Sequence, residues 1–287
     1  LDCHDEDAGY FVTAFDPGSP DVRAVVNPRP DANGIDDTTQ FLGGRLISVD
    51  ITAIATAGAQ IDDVAASFAP FMVPSSRPEL HYVLDRPGAP ERVLIVRAAQ
   101  YSYKVDDPVQ RDIQLQFQAA DPVAYDPAVQ SETAWAGSSG NVAGRRYDLT
   151  YDRVYPAGSA APSYAWLEND GDVTASPVLK LWGPATGAKV TLTIPSGPGQ
   201  GNYGAVGLAA SYVIAAGHYV LIDTDEKTAF LDGDTTKPVV ASLDWNGLMQ
   251  FGWPRIPARS TVRMAYSGTS TTSATQATAT WQNGYLS

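Results

Sequence analysis

Asp112-Ile113-Gln114-Leu115-Gln116-Phe117-Gln118-Ala119 alternates apolar and polar residues without a break. Successive side chains of a strand point to opposite faces. Ile113, Leu115 and Phe117 therefore share a face that gains by leaving water, and Gln114, Gln116 and Gln118 share the face that stays in it. This is the pattern of a half-buried strand, and the rest of the chain repeats it. Residues 45–55 bring Leu46, Ile47, Val49, Ile51 and Ile54 in a β-branched run after Gly43-Gly44. In the second half, Val190, Leu192 and Ile194 alternate with Lys189, Thr191 and Thr193. Further short strands are predicted there at residues 178–182, 219–222, 228–231, 241–245, 261–266 and 276–281, with no convincing helix among them. Many short strands between turn signals define a β-sandwich.

The first half adds one helix. Residues 10–15 form a short strand, followed by a turn at Asp16-Pro17-Gly18-Ser19-Pro20. Over residues 61–71, Ile61, Val64, Ala65, Phe68 and Phe71 fall at helical spacing, with Asp62 and Asp63 at the positive end of the dipole and Pro70 and Pro74 marking the end. Segments 81–84 and 92–96 flank Asp85-Arg86-Pro87-Gly88-Ala89-Pro90. That connection is too proline-rich to extend an internal sheet and suits an exposed hairpin arm. Residues 126–165 are loop-rich, which places the domain boundary there. The expected organisation is a first domain over 1–130, a connecting segment over 131–165 and a second domain over 166–287.

Composition narrows the function. A chain of 287 residues holds one large or two ordinary domains. Its 19 Lys+Arg against 32 Asp+Glu leave a net charge of −13, which removes the Coulombic attraction behind most non-specific nucleic-acid binding. A single cysteine excludes an intrachain disulfide framework and a Cys-ligated zinc site. The start, Leu1-Asp2-Cys3-His4-Asp5-Glu6-Asp7, is the reverse of a basic, then apolar, export signal. The longest weakly apolar run, 205–222, is interrupted by Gly207, Ser211, Gly217 and His218, so no membrane insertion is expected.

Few residues have the spacing that chemistry needs. His4, His81 and His218 are scattered, with no HExxH pair for zinc. Gly199-Gln200-Gly201-Asn202-Tyr203-Gly204 matches a dinucleotide-binding fingerprint, and Asp223 follows at a suitable distance. However, Pro195-Ser196-Gly197-Pro198 precedes it and no amphipathic helix follows, so a β–β loop is the expectation. Asp223, Asp225, Asp232 and Asp234 could be read as a calcium site, but hairpin-end chemistry explains them more simply. No catalytic cluster, metal set or cofactor is expected, and the protein reads as a non-enzyme.

The order of segments then becomes informative. Phe41-Leu42-Gly43-Gly44-Arg45-Leu46-Ile47 opens a long strand, followed by the helix, the Arg86-Pro87-Gly88 hairpin, the 112–119 strand and Ala120-Asp121-Pro122-Val123-Ala124-Tyr125. This order resembles the N-terminal domain of siphophage distal tail proteins. The second half is similar to the galectin-like domain of that family through Asn169-Asp170-Gly171, Ser176-Pro177-Val178-Leu179-Lys180-Leu181-Trp182-Gly183, Leu221-Ile222-Asp223-Thr224 and residues 277–281. The resemblance implies a mainly β protein of two domains, a tail-tube-like β-sandwich with one helix and a galectin-like β-sandwich. It further implies a structural protein of the virion, made in the host cytoplasm. Its place is a homo-oligomeric, sixfold ring at the tail tip, joining the tail tube protein to tail-tip, hub and tape-measure proteins.

On that reading Arg86, Pro87 and Gly88 are candidate ring-interface residues. Gln114, Gln116 and Gln118 are candidate lumen-facing residues, since uncharged amides neither bind nor strongly repel a passing polyanion. An acidic conduit likewise repels DNA rather than trapping it. Two rival readings remain: a carbohydrate-binding receptor module using Trp245 or Trp253, and a nucleotide-dependent enzyme using the 199–204 loop.

Overall fold

The computed structural model describes residues 9–23, 27–28, 35–36, 41–54, 66–73, 75–84, 87–107, 110–136, 164–195 and 199–286. The chain divides into two compact units, Leu1–Pro127 with Tyr285–Ser287, and Ala128–Gly284. In the first unit an antiparallel sheet runs in the order Tyr10–Asp16, Arg45–Ile54, Gln110–Ala119, Arg97–Asp107. The alternation read from the sequence sets its faces. Ile47, Val49 and Ile51 join Ile113, Leu115 and Phe117 in the core, with Phe68 and Leu94. Gly44 at the mouth of the second strand has a packing reason, since a Cβ there would sit 2.7 Å from the Ala119 carbonyl oxygen.

Of the helix expected over 61–71, residues 61–65 lie outside the described residues. What is described ends in a 3-10 helix, Ala69–Met72, with the Phe71 N–H donating to the Phe68 carbonyl oxygen at 3.1 Å. Pro70 lies inside this turn rather than ending it. The hairpin pairs Glu79–Tyr82 with Arg92–Ile95. Residues Tyr285 and Leu286 return to this unit: the Arg92 guanidinium stacks 3.6 Å from the Tyr285 ring centre. Arg45, buried at the start of its strand, donates from Nη2 to the Leu286 carbonyl oxygen at 3.1 Å. Burial lowers the Arg45 pKa, though a guanidinium stays charged.

The second unit is a sandwich. One sheet runs Gln130–Trp135, Gln276–Trp281, Val178–Trp182, Tyr219–Asp223, Thr228–Leu231, and the other Tyr164–Asn169, Ser260–Thr269, Ala185–Ile194, Gly201–Gly207. Their inner faces share one core, with Leu179, Leu181, Val220 and Ile222 from the first and Leu167, Val190, Leu192 and Met264 from the second.

Two sequence expectations are revised here. Residues 131–165 are not simply a connection: Gln130–Trp135 pairs with Gln276–Trp281 as a strand of the second unit, and another strand begins at Tyr164. Residues 137–163 lie outside the described residues. The strand expected at 241–245 is instead a 3-10 helix, Val240–Ser242, followed by an α-helix, Trp245–Phe251. Asp244 caps that helix by accepting from the Gly247 N–H, and Gly252 closes it at φ +75°.

Candidate functional site

The hairpin around residues 84–92 carries an exposed turn. Pro87 and Gly88 form its exposed turn, with Gly88 at φ +74° and open space where a Cβ would stand. Arg86 lies outside the described residues. At the base of the hairpin, His81 Nδ1 is 2.8 Å from Glu91 Oε1 and Nε2 is 3.4 Å from Glu79 Oε2. The hydrogen bond to Glu91, more than that to Glu79, raises the His81 pKa above 6.5.

Gln114, Gln116 and Gln118 point away from the core, as their spacing required. The pairing adds neighbours that the sequence did not disclose. Gln114 stands between Asp50 and Ser102, Gln116 between Ser48 and Gln100, and Gln118 between Leu46 and Arg97. Directly opposed residues of an antiparallel pair share a face. The triad is thus the middle of a band rich in amides and hydroxyls, with Asp50 and Arg97 supplying one charge of each sign.

Of Asp223, Asp225, Asp232 and Asp234, three carboxylates are taken up by turns and the fourth residue, Asp225, enters through its backbone N–H. Asp223 Oδ1 accepts from the Asp225 and Glu226 N–H groups. Asp232 accepts from the Tyr219 N–H and lies 2.7 Å from His218 Nδ1, which lowers its pKa chiefly through the histidine. Asp234 Oδ1 accepts from the Thr236 hydroxyl and N–H, holding its pKa near 2. Among the described residues no three His, Cys, Asp or Glu side chains gather to hold a metal, and no helix is long and apolar enough to cross a membrane. The glycine fingerprint leads into the strand Gly201–Gly207, not a helix. A Cβ on Gly204 would stand 2.5 Å from Pro254 Cα, so the glycine serves close backbone approach instead of a pyrophosphate.

Of the two tryptophans singled out in the sequence, Trp245 is exposed at the first turn of its helix and Trp253 is half-buried against the sandwich core. Neither is among the residues that line a groove elsewhere in the second unit. A groove of about 170 Å³ opens in the second unit, lined by Gln130, Ser131 and Glu132 on one strand and by Trp166, Glu168 and Asp170 at and beyond another. Trp281 also lines it and donates from Nε1 to the Glu168 carbonyl oxygen at 3.0 Å. Sequence reading missed the groove because its walls come from segments far apart in the chain.

No family model matches the sequence, and no curated protein matches it either. Its fold is mainly β, with several antiparallel sheets, and is similar to that of a solved phage protein. SPP1 Dit (gp 19.1), described as a paradigm of hub adsorption apparatus in Gram-positive-infecting phages, superimposes with a TM-score of 0.62. It does so at 12% identity, over 96% of this chain and 94% of that one. Structures of the phage P2 baseplate in its activated conformation with Ca and with Sr align with TM-scores of 0.47 and 0.45, at 10% and 9% identity. Each covers 97% of this chain and 91% of the other. The likeness to SPP1 Dit is one of fold along nearly the full length of both chains.

Proposed function

We propose that this protein is a structural, non-enzymatic component of a phage tail tip. In that reading it is a distal tail protein whose copies close into a sixfold ring, joining the tail tube protein to tail-tip, hub and tape-measure proteins. The second unit takes the place of the galectin-like domain. The observation that carries the reading is the end-to-end fold likeness to SPP1 Dit, because it extends through both units rather than one widespread sandwich. The main sheet of the first unit ends at the eleven-residue strand Arg97–Asp107. A long edge strand is a natural template for a neighbouring subunit.

The hairpin turn at Arg86, Pro87 and Gly88 is assigned to the seam between subunits. The band around Gln114, Gln116 and Gln118 is assigned to the lumen, where amides and hydroxyls let a polyanion pass without being held. Electron microscopy of the purified full chain tests the assembly: closed sixfold rings support it, and a monomer at high concentration overturns it. A ring reconstruction tests the residues, since the lumen assignment fails if the three glutamines face away from the axis.

A further inference from the structure

We propose that the groove beside Trp166 is a binding site for a neutral saccharide. Tyr164 and Trp166 are 42% and 47% exposed on the edge strand Tyr164–Asn169, while Ala165 and Leu167 between and beyond them are buried. The two rings meet edge to face, 5.9 Å between centres at 78°, so Tyr164 braces the exposed Trp166 that lines the groove. An exposed aromatic platform attracts a ligand with an apolar face and a polar rim. A pyranose ring has both.

The polar walls define the ligand further. Glu132, Glu168 and Asp170 supply acceptors, and Gln130 and Ser131 add donors beside them. Sugar hydroxyls need donors and acceptors together, whereas a bare cation needs acceptors alone. Arg263 stands opposite Trp166 on the neighbouring strand, but among the described residues no lysine or arginine lines the groove itself, so its three carboxylates disfavour phosphorylated, sulfated or uronic sugars. The volume of about 170 Å³ accommodates a single ring with its neighbours in solvent, so affinity is weak, on the order of millimolar. This site is separate from Trp245 and Trp253 and does not depend on ring formation.

The test titrates the full chain with neutral disaccharides built from glucose, galactose, N-acetylglucosamine and rhamnose. Polygalacturonate and poly-lysine serve as charged competitors, each at low and high salt, with tryptophan fluorescence and calorimetry as readouts. A neutral sugar should bind with little salt dependence. Trp166→Ala should weaken it about tenfold, Trp166→Phe should restore part of the loss, and Trp245→Ala should leave it unchanged. Glu168→Gln, which keeps the side-chain shape, gives a second reading should Trp166→Ala lose its fold, and it too should weaken binding. Failure of every neutral sugar, full binding by both groove variants, or loss of binding in Trp245→Ala overturns the assignment. Salt-sensitive capture of poly-lysine without sugar binding overturns it in favour of a basic partner.

Discussion

Neighbouring positions on one strand should differ sharply in what they contribute. Leu115 is 2% exposed and lies among Ile47, Val49, Ile51, Phe68, Ile113 and Phe117. Leu115→Ala removes three buried carbons, about 2–2.5 kcal/mol of transfer free energy at about 0.8 kcal/mol each. The sheet pins the backbone on both sides, through Val49 and Tyr101, so the cavity collapses little and the total loss should be about 3–4 kcal/mol. Gln116, one residue on, faces outward and its truncation to alanine should cost within about 0.5 kcal/mol.

Because the units can unfold separately, one global transition is not a sufficient readout. Hydrogen exchange at the amides of Gln110–Ala119 reports the local cost directly. Equal loss of protection in the two variants, or a loss above about 1.5 kcal/mol for Gln116→Ala, would refute the assignment of faces. If Gln116→Ala keeps its fold, any defect in assembled tails can be read as a property of that face.

Three further outcomes follow from single sites. Asn169 is fully buried, donating from Nδ2 towards the carbonyls of Val173, Ile256 and Pro257 and accepting from the Gly171 N–H. Asn169→Asp sets a carboxylate against those carbonyls and should cost about 3 kcal/mol or more in urea unfolding, and a near-neutral result would contradict the network. The His81 pKa is raised above 6.5 by Glu91 first. Its contribution to the hairpin is therefore complete below pH 6.5 and fades as pH rises through the folded value. An NMR titration should show this, with Glu91→Gln moving the midpoint down and an unshifted midpoint refuting it. For Asp234, held near 2 by Thr236 and Lys237, the turn should be intact above pH 4 and loosen as pH falls towards about 2. Loss of Thr236 amide protection only in that window is the expected result, and early loss near pH 5 would contradict it.

The strands of the first unit were legible because period two has one structural meaning when it persists for eight residues, as it does from Asp112 to Ala119. The helix Trp245–Phe251 is hidden by its brevity: seven residues carry no complete apolar stripe, its buried face pairs Leu248 with Gly247, and the apolar Met249 lies on the exposed side. Its end signals were nevertheless present, Asp244 as N-cap and Gly252 after the last turn. The strand Gly201–Gly207 was obscured by glycines that strands ordinarily avoid. One of them, Gly204, is required by the backbone of Pro254, a contact 50 residues away in sequence.

The outward faces divide along the same line. Periodicity identifies a face, but the neighbours across it depend on pairing, which a single sequence does not state. For the glutamines the period alone was enough to find the face, and pairing only enlarged it with Ser48, Gln100 and Ser102. For the groove the period was equally clear, with Tyr164, Trp166 and Glu168 outward and Ala165, Leu167 and Asn169 inward. The connection expected from the sequence ends at residue 165 and the first strand expected beyond it is 178–182, so this face does not emerge from the sequence. Even a correct strand would have lacked Gln130, Ser131 and Glu132, which pairing with Gln276–Trp281 brings to the sandwich beside it. A recognition site assembled across two edge strands is invisible to local pattern because neither strand alone holds both the aromatic platform and the polar wall.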